Sequence, residues 1–263
     1  MFNYQFIQMA LVGGSLAAIV SAWIGLFLIL RKESMLVDGV AHTAFGGVAI
    51  GLLLGFDPML GAMAVSAAAV LGITYMRRKG LAQSDSAIAV MMAMGFSMGM
   101  IIISLANGFN VDLMSYLFGS ILTVNRTDVT VLAVLGLFII GFMVFFYKEM
   151  LAITFDEDGA RLQGIPVQVM TLAFNLLVAI TIALSIKVIG IILVVALMVL
   201  PGLTALQLRR SFKATLIAST LFGVMAATLG IVLSVLFSVS TSGVIVFTAA
   251  GIFLFVAAYQ RLA

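Results

Sequence analysis

Nine long uninterrupted apolar runs constrain this chain more than any other feature. They lie at roughly 6–30, 36–55, 58–76, 86–106, 128–147, 167–186, 188–208, 214–237 and 242–259 of a 263-residue sequence. A helix that crosses the hydrocarbon core of a bilayer needs about 20 such residues. The runs are continuous, so they do not fit transmembrane strands, which alternate apolar and polar residues over about 10 positions. In lipid every backbone polar group must be satisfied within the chain, and helices do this segment by segment. Composition points the same way: 64% of residues are hydrophobic and 9% are charged, where a soluble domain is about one-quarter charged. The expected fold is an all-α integral membrane protein. It is a polytopic helical bundle of about eight to nine transmembrane helices, in a single transmembrane domain over 1–263.

Basic residues orient the bundle. Lys and Arg concentrate in cytoplasmic loops. With the N-terminus outside, eleven of the thirteen basic residues fall on the inner side and only Arg126 and Lys187 on the outer. The C-terminus is then inside. The first run lacks a basic leader and ends at Arg31-Lys32, so it reads as a span and not as a cleaved signal peptide. One apolar stretch, VDLMSYLFGSIL at 111–122, is too short to cross. It suits a re-entrant or interfacial helix on the outer side, or a short helix buried between spans.

Several function classes are excluded. A net charge of +3, dispersed along the chain, is no nucleic-acid signal. There is no cysteine, hence no disulfide or thiolate chemistry. No Walker A pattern occurs, so ATP-driven transport would need an ATPase in another subunit.

Ionisable groups inside a span are costly and are candidates for function. The second run, LVDGVAHTAFGGVAIGLLLG, holds Asp38 and the sole histidine, His42. At i and i+4 they share one helix face. A carboxylate and an imidazole together can bind a divalent cation. Imidazole suits zinc, and carboxylate oxygen extends the range toward manganese. Two ligands leave the site open, whereas two copies of the helix would supply four. A purely structural reading stands beside this one: Asp38 stabilises the helix N-terminus and His42 bonds a neighbour. The small residues Gly46, Gly47 and Gly51 allow close helix packing. The methionines of MMAMGFSMGM, Met91 to Met100, read as flexible filler. Pro201 and Gly202 mark a helix break, either a hinge or the end of the helix. Asn175 is expected to form an interhelical hydrogen bond. Asp57, Asn107, Asn110 and Asp112 fall on the outer side. Asp57 and Asp112 could belong to an outer entry or gate, or be solvated loop residues.

Four blocks resemble one family, the membrane-spanning subunits of ATP-binding-cassette (ABC) importers for zinc, manganese and iron. They are LRKESMLVDGVAHTAFGGVAIG (30–51), SDSAIAVMMAMGFSMGMIIIS (84–104) with DLMSYLFGSIL (112–122), DEDGARLQGIP (156–166), and IKVIGIILVVALMVLPGLTA (186–205). Their order and spacing cover nearly the whole chain. The resemblance implies a permease in the cytoplasmic membrane of a prokaryote. It works as a homodimer with two copies of an ATP-binding subunit and an extracytoplasmic metal-binding protein. It implies no permanent cofactor: the metal, zinc first with manganese or iron as alternatives, is the substrate. Asp38 and His42 match the family's pore pair. The 156–166 segment matches its coupling helix, with Asp158, Ala160 and Gly164 at the ATPase. Gly39, Ala41 and Gly46 depart from common family residues, which puts the choice of metal in doubt.

Rival readings fare less well. A secondary or proton-coupled metal transporter using Asp38 and His42 should show an inverted repeat with paired broken helices, and only one proline-broken span is present. An intramembrane metalloprotease would need two histidines in one motif. A purely structural subunit leaves the position of the sole histidine beside an acid unexplained.

Overall fold

The computed structural model describes residues 5–106, 119 and 125–262. Among them the regular structure is entirely helical: α1 Gln5–Leu30, α2 Met35–Leu54, α3 Pro58–Arg78, α4 Ser84–Leu105, α5 Arg126–Phe145, α6 Tyr147–Phe155, α7 Glu157–Leu162, α8 Val167–Ile189, α9 Ile191–Gln207, α10 Phe212–Phe237 and α11 Thr241–Leu262. Eight of these are long and apolar enough to cross a membrane, and α9, at 17 residues, is a shorter apolar helix. The polytopic helical bundle expected from the runs is therefore observed. The expected short helix at 111–122 lies outside the described residues except for Gly119, and Asp112, Asn107 and Asn110 lie outside them too.

Local sequence chemistry explains the boundaries. Helix α2 ends on Gly55, whose φ of 73° is the left-handed conformation that glycine adopts without strain. Two residues later Asp57 caps α3, its carboxylate accepting from the Met59 N–H at 2.8 Å, with Pro58 in the first turn. Asn125 and Asp128 form a reciprocal capping box at the start of α5. The Asn125 side chain accepts from Asp128 N–H at 2.9 Å, and Asp128 Oδ2 accepts from Asn125 N–H at 3.2 Å. Between α8 and α9 stands Gly190 at φ 82°, ψ 160°, a conformation almost confined to glycine. The boundary expected near 187 thus shifts to Gly190, and Lys187 belongs to α8.

The chain divides into two compact units. One comprises Met1–Lys32, Met114–Gly141 and Ser185–Ala263; the other comprises Glu33–Leu113 and Phe142–Leu184. In the first, α1 packs against α9 and α10, and α11 packs against the same two helices. The α1–α9 approach leaves no room for a Cβ on Gly25, which faces the Met198 carbonyl. The α9 helix does not end at Pro201 and Gly202. It runs on to Gln207, so the reading of this pair as a helix end is corrected. Proline removes one hydrogen bond, but both residues are buried against neighbouring helices: Gly202 faces Ile29 and Pro201 lies beside Gly223. Packing holds the helix through the missing bond.

In the second unit α2 is the central helix, contacting both α3 and α4. Glycines face each other across both seams. A Cβ on Gly47 would strike the Gly61 carbonyl of α3, and one on Gly46 the Gly95 carbonyl of α4. Without large side chains the backbones come close, as small-residue interfaces in membranes allow. The Arg77 guanidinium at the end of α3 pairs with Glu33, just before α2, at 3.1 Å.

Candidate functional site

From Leu36 to Ala49 every residue of α2 is buried except Asp38 and His42. Packing against α3 and α4 consumes the rest of the surface and leaves one polar stripe open. Their side chains are 38% and 36% exposed respectively. His42 Nδ1 lies 3.0 Å from the Asp38 backbone carbonyl and 3.3 Å from Asp38 Oδ1. Both are acceptors, so Nδ1 carries the hydrogen in the neutral ring, and Nε2 keeps its lone pair. This is the arrangement by which a ligating imidazole is oriented: one nitrogen donates to a carbonyl or carboxylate and the other is left for the metal. Among the described residues no group of three or more His, Asp or Glu comes together. One chain therefore brings at most two such side chains together at this position.

A third residue, not singled out in the sequence, completes the surroundings. Phe96 on α4 meets the His42 ring edge-on, with centroids 5.8 Å apart and planes at 61°. It stacks on Phe45 at 5.4 Å. Its position follows from the glycine seam, because the residue before it, Gly95, lies against Gly46 and Thr43. The Thr43 hydroxyl donates to Gly39 O at 2.6 Å and also lies 3.4 Å from Met91 O on α4. In the sequence Phe96 sits inside a Met-rich run whose bland composition hides the contact.

The segment at 156–166 forms a short helix with defined ends. Asp156 caps α7, accepting from Gly159 N–H at 2.9 Å. The helix closes with a Schellman motif: Gly164 N–H donates to Arg161 O at 3.0 Å and Ile165 N–H to Ala160 O at 3.1 Å, with Gly164 at φ 80°. Gly164 is thus required by the turn. Ala160 is 1% exposed and packs inward, whereas Leu162 is 90% and Phe155 67% exposed. Asp158 lies 3.9 Å from Arg161 on the outer face.

The other candidates have local roles. Asp57 is the exposed cap of α3 described above. Asn175 is buried, and its Oδ1 has no hydrogen-bond partner among the described residues, so the expected interhelical bond is not made by that oxygen. Met91 packs over Gly72, in keeping with filler. The sequence reading also passed over an ion pair between Lys187 of α8 and Asp128 of α5, at 2.7 Å, with Asp128 7% exposed. The capping box was visible as Asn-x-x-Asp, but its lysine lies 59 residues away.

A model of the ABC 3 transport family matches residues 3–260. The chain belongs to that family. The manganese transport system membrane protein MntC of Halalkalibacterium halodurans is 34% identical to this ABC 3 family member over 253 residues, covering 96% of the chain and 87% of that protein. The manganese import system permease protein ScaB of Streptococcus gordonii is 30% identical over 262 residues, covering 98% and 94%. The fold matches a chain of the solved structure of PsaBC from Streptococcus pneumoniae in complex with Fab, with a TM-score of 0.88 and 32% identity over 99% of this chain and 96% of that one.

Proposed function

We propose that this ABC 3 family member is the membrane-spanning permease subunit of an ATP-driven importer of a divalent transition metal, with Asp38 and His42 holding the ion in transit. The observation that carries the reading is the open pair on α2. A carboxylate and an imidazole with its Nε2 lone pair free are the only unburied side chains on an otherwise enclosed stretch of a spanning helix. Two ligands per chain are too few for tight capture. Two copies of the chain would present four, enough to select an ion and few enough to release it. We therefore infer a homodimer with the pair at its centre. The orientation is the one with most basic residues inside, in a prokaryotic cytoplasmic membrane.

Manganese replaces zinc as the first choice of substrate. The relatives MntC and ScaB are named for manganese, and a site with carboxylate oxygen and no thiolate suits it. Zinc and iron are the competitors to measure. The metal is delivered by an extracytoplasmic binding protein, and energy comes from two copies of an ATPase subunit acting on the 156–166 segment. There Asp158 and the exposed Leu162 form the contact face, while the buried Ala160 seats the helix and Gly164 closes its end.

The test is uptake of radiolabelled manganese into vesicles containing the assembled transporter, with zinc and iron as competitors. Manganese uptake is expected to depend on ATP and on His42. Unchanged uptake by His42→Ala would sink the transit-site role, and ATP-independent uptake would favour a secondary transporter. For the docking face, Leu162→Asp should prevent co-purification with the ATPase while leaving membrane insertion intact. Normal co-purification would refute that face.

A further inference from the structure

At one end of the first unit, the C-terminal ends of α9 and α11 enclose a cavity of about 730 Å³. Arg209 and Arg261 line it together with the amides of Gln207 and Gln260, while Phe253 and Leu254 form an apolar wall. No acidic side chain is among the lining residues. Each arginine lies at a helix C-terminus, where a cation offsets a partial charge of about −0.5. Two guanidinium groups against two such ends leave an excess of roughly one positive charge.

Arg209 carries a second signal. It follows the cap of α9 with φ at 50°, the left-handed conformation that glycine takes at little cost and a residue with a Cβ takes only against steric resistance. An arginine standing where glycine would fit better points to a use for its side chain. Leu254, 65% exposed, extends the apolar wall outward from the basic end.

We propose that this cavity is a binding site for the headgroup of an anionic phospholipid, the phosphate lying between Arg209 and Arg261 and the acyl chains running along Phe253 and Leu254. Planar guanidinium groups bind phosphate oxygens in bidentate fashion, and glutamine amides supply further donors. Basic pockets at the cytoplasmic ends of spanning helices are suited to such headgroups. In the orientation proposed above, the cavity opens at the inner leaflet. Neither the metal nor the ATPase is needed for the argument, so the site stands or falls apart from the transport reading.

The test uses the full-length chain in mild detergent, with native mass spectrometry and thermal unfolding in the presence of phosphatidylglycerol, phosphatidylcholine or inorganic phosphate. Phosphatidylglycerol should be retained, and should raise Tm, at a concentration roughly tenfold or more below phosphatidylcholine. The double variant Arg209→Gly/Arg261→Gln should lose this preference without a lower Tm in phosphatidylcholine, because glycine suits the left-handed turn. An unchanged preference in the variant would overturn the site. An equal Tm rise with inorganic phosphate alone would assign it to a soluble anion and overturn the lipid reading. Loss of the preference on co-purification with an ATPase subunit would mark the cavity as a protein interface and equally overturn it.

Discussion

Two acid–base pairs sit within the apolar helices, and they are built in opposite ways. Asp128 and Lys187 come from helices far apart in sequence, meet at 2.7 Å, and bury the carboxylate to 7% exposure. The Asp128 carboxylate also accepts from the Asn125 N–H, so both its oxygens are engaged. Asp38 and His42 come from one turn of one helix, approach no closer than 3.3 Å side chain to side chain, and keep more than a third of their surface open. The first pair is closed and joins helices. The second is held within its own helical turn, by the Asp38 backbone carbonyl and carboxylate on His42 Nδ1, and stays open to its surroundings. An ionisable residue inside a span is thus a functional candidate only if its partners leave it something to do, and that condition is set by tertiary structure.

Crossing the two pairs gives the largest expected contrast. Asp38→Ala or His42→Ala should lower metal uptake by at least about 100-fold while changing stability by no more than about 0.5 kcal/mol, as expected for open sites. Asp128→Ala should do the reverse. It removes a helix cap, worth about 1 kcal/mol, and takes from Lys187 its carboxylate partner at 2.7 Å. Breaking a fully buried pair costs about 3–5 kcal/mol, but Lys187 keeps 31% of its side chain exposed. A loss of about 2 kcal/mol is therefore expected, with uptake per folded molecule preserved. Chemical denaturation in detergent and vesicle uptake of both variants check this. A stable, uptake-dead Asp128→Ala would break the comparison by making both pairs functional.

The glycine seam beneath the open pair gives an intermediate effect. Gly95→Ala would place a methyl group against Thr43, whose backbone as well as side chain lies in the way. Overpacking of this kind costs about 1–3 kcal/mol. It should also move α4, and Phe96 with it, away from His42. Gly141, which has open space around it, is the control: Gly141→Ala should be neutral or slightly stabilising, as glycine is a weaker helix former. Equal thermal stability for the two alanine variants would show that the α2–α4 approach is looser than described.

Much of this contrast was legible in the sequence, and the illegible part has one cause. The helices followed from run length, because the bilayer fixes how long a span must be. The gap between the runs at 36–55 and 58–76 marked the α2–α3 turn, while the capping role of Asp57 there emerged only from the structure. Asp38 and His42 were visible because i and i+4 on a helix define a face without any tertiary information. The resemblance of 156–166 to a coupling helix did not disclose the local duties of its small residues: Gly164 turns the chain and Ala160 is buried. Pro201 was read as a break because neighbours that hold a helix through a missing hydrogen bond leave no local mark. Lys187 and Phe96 were missed for the same reason. Each acquires its meaning from a helix that sequence spacing cannot place beside it.

Phe96 offers the smallest effect and the finest test of what keeps the open pair in order. Its ring edge meets the imidazole at 5.8 Å and its face stacks on Phe45. Aromatic contacts of this geometry contribute about 0.5–1.5 kcal/mol. With Phe96 still 37% exposed, the low end applies, and about 0.5 kcal/mol corresponds to roughly a twofold change. If the ring serves to hold the imidazole in place, Phe96→Leu should raise the KM for metal uptake about twofold with Vmax unchanged, and Phe96→Tyr should restore it. The helix seam would remain, since glycine and threonine make it and the ring does not. A fall in Vmax with KM unchanged would assign Phe96 to the movement of the helices. No change in either would leave the Nδ1 hydrogen bonds as sufficient to orient His42, with the closed Asp128–Lys187 pair then differing from the open pair in partners alone.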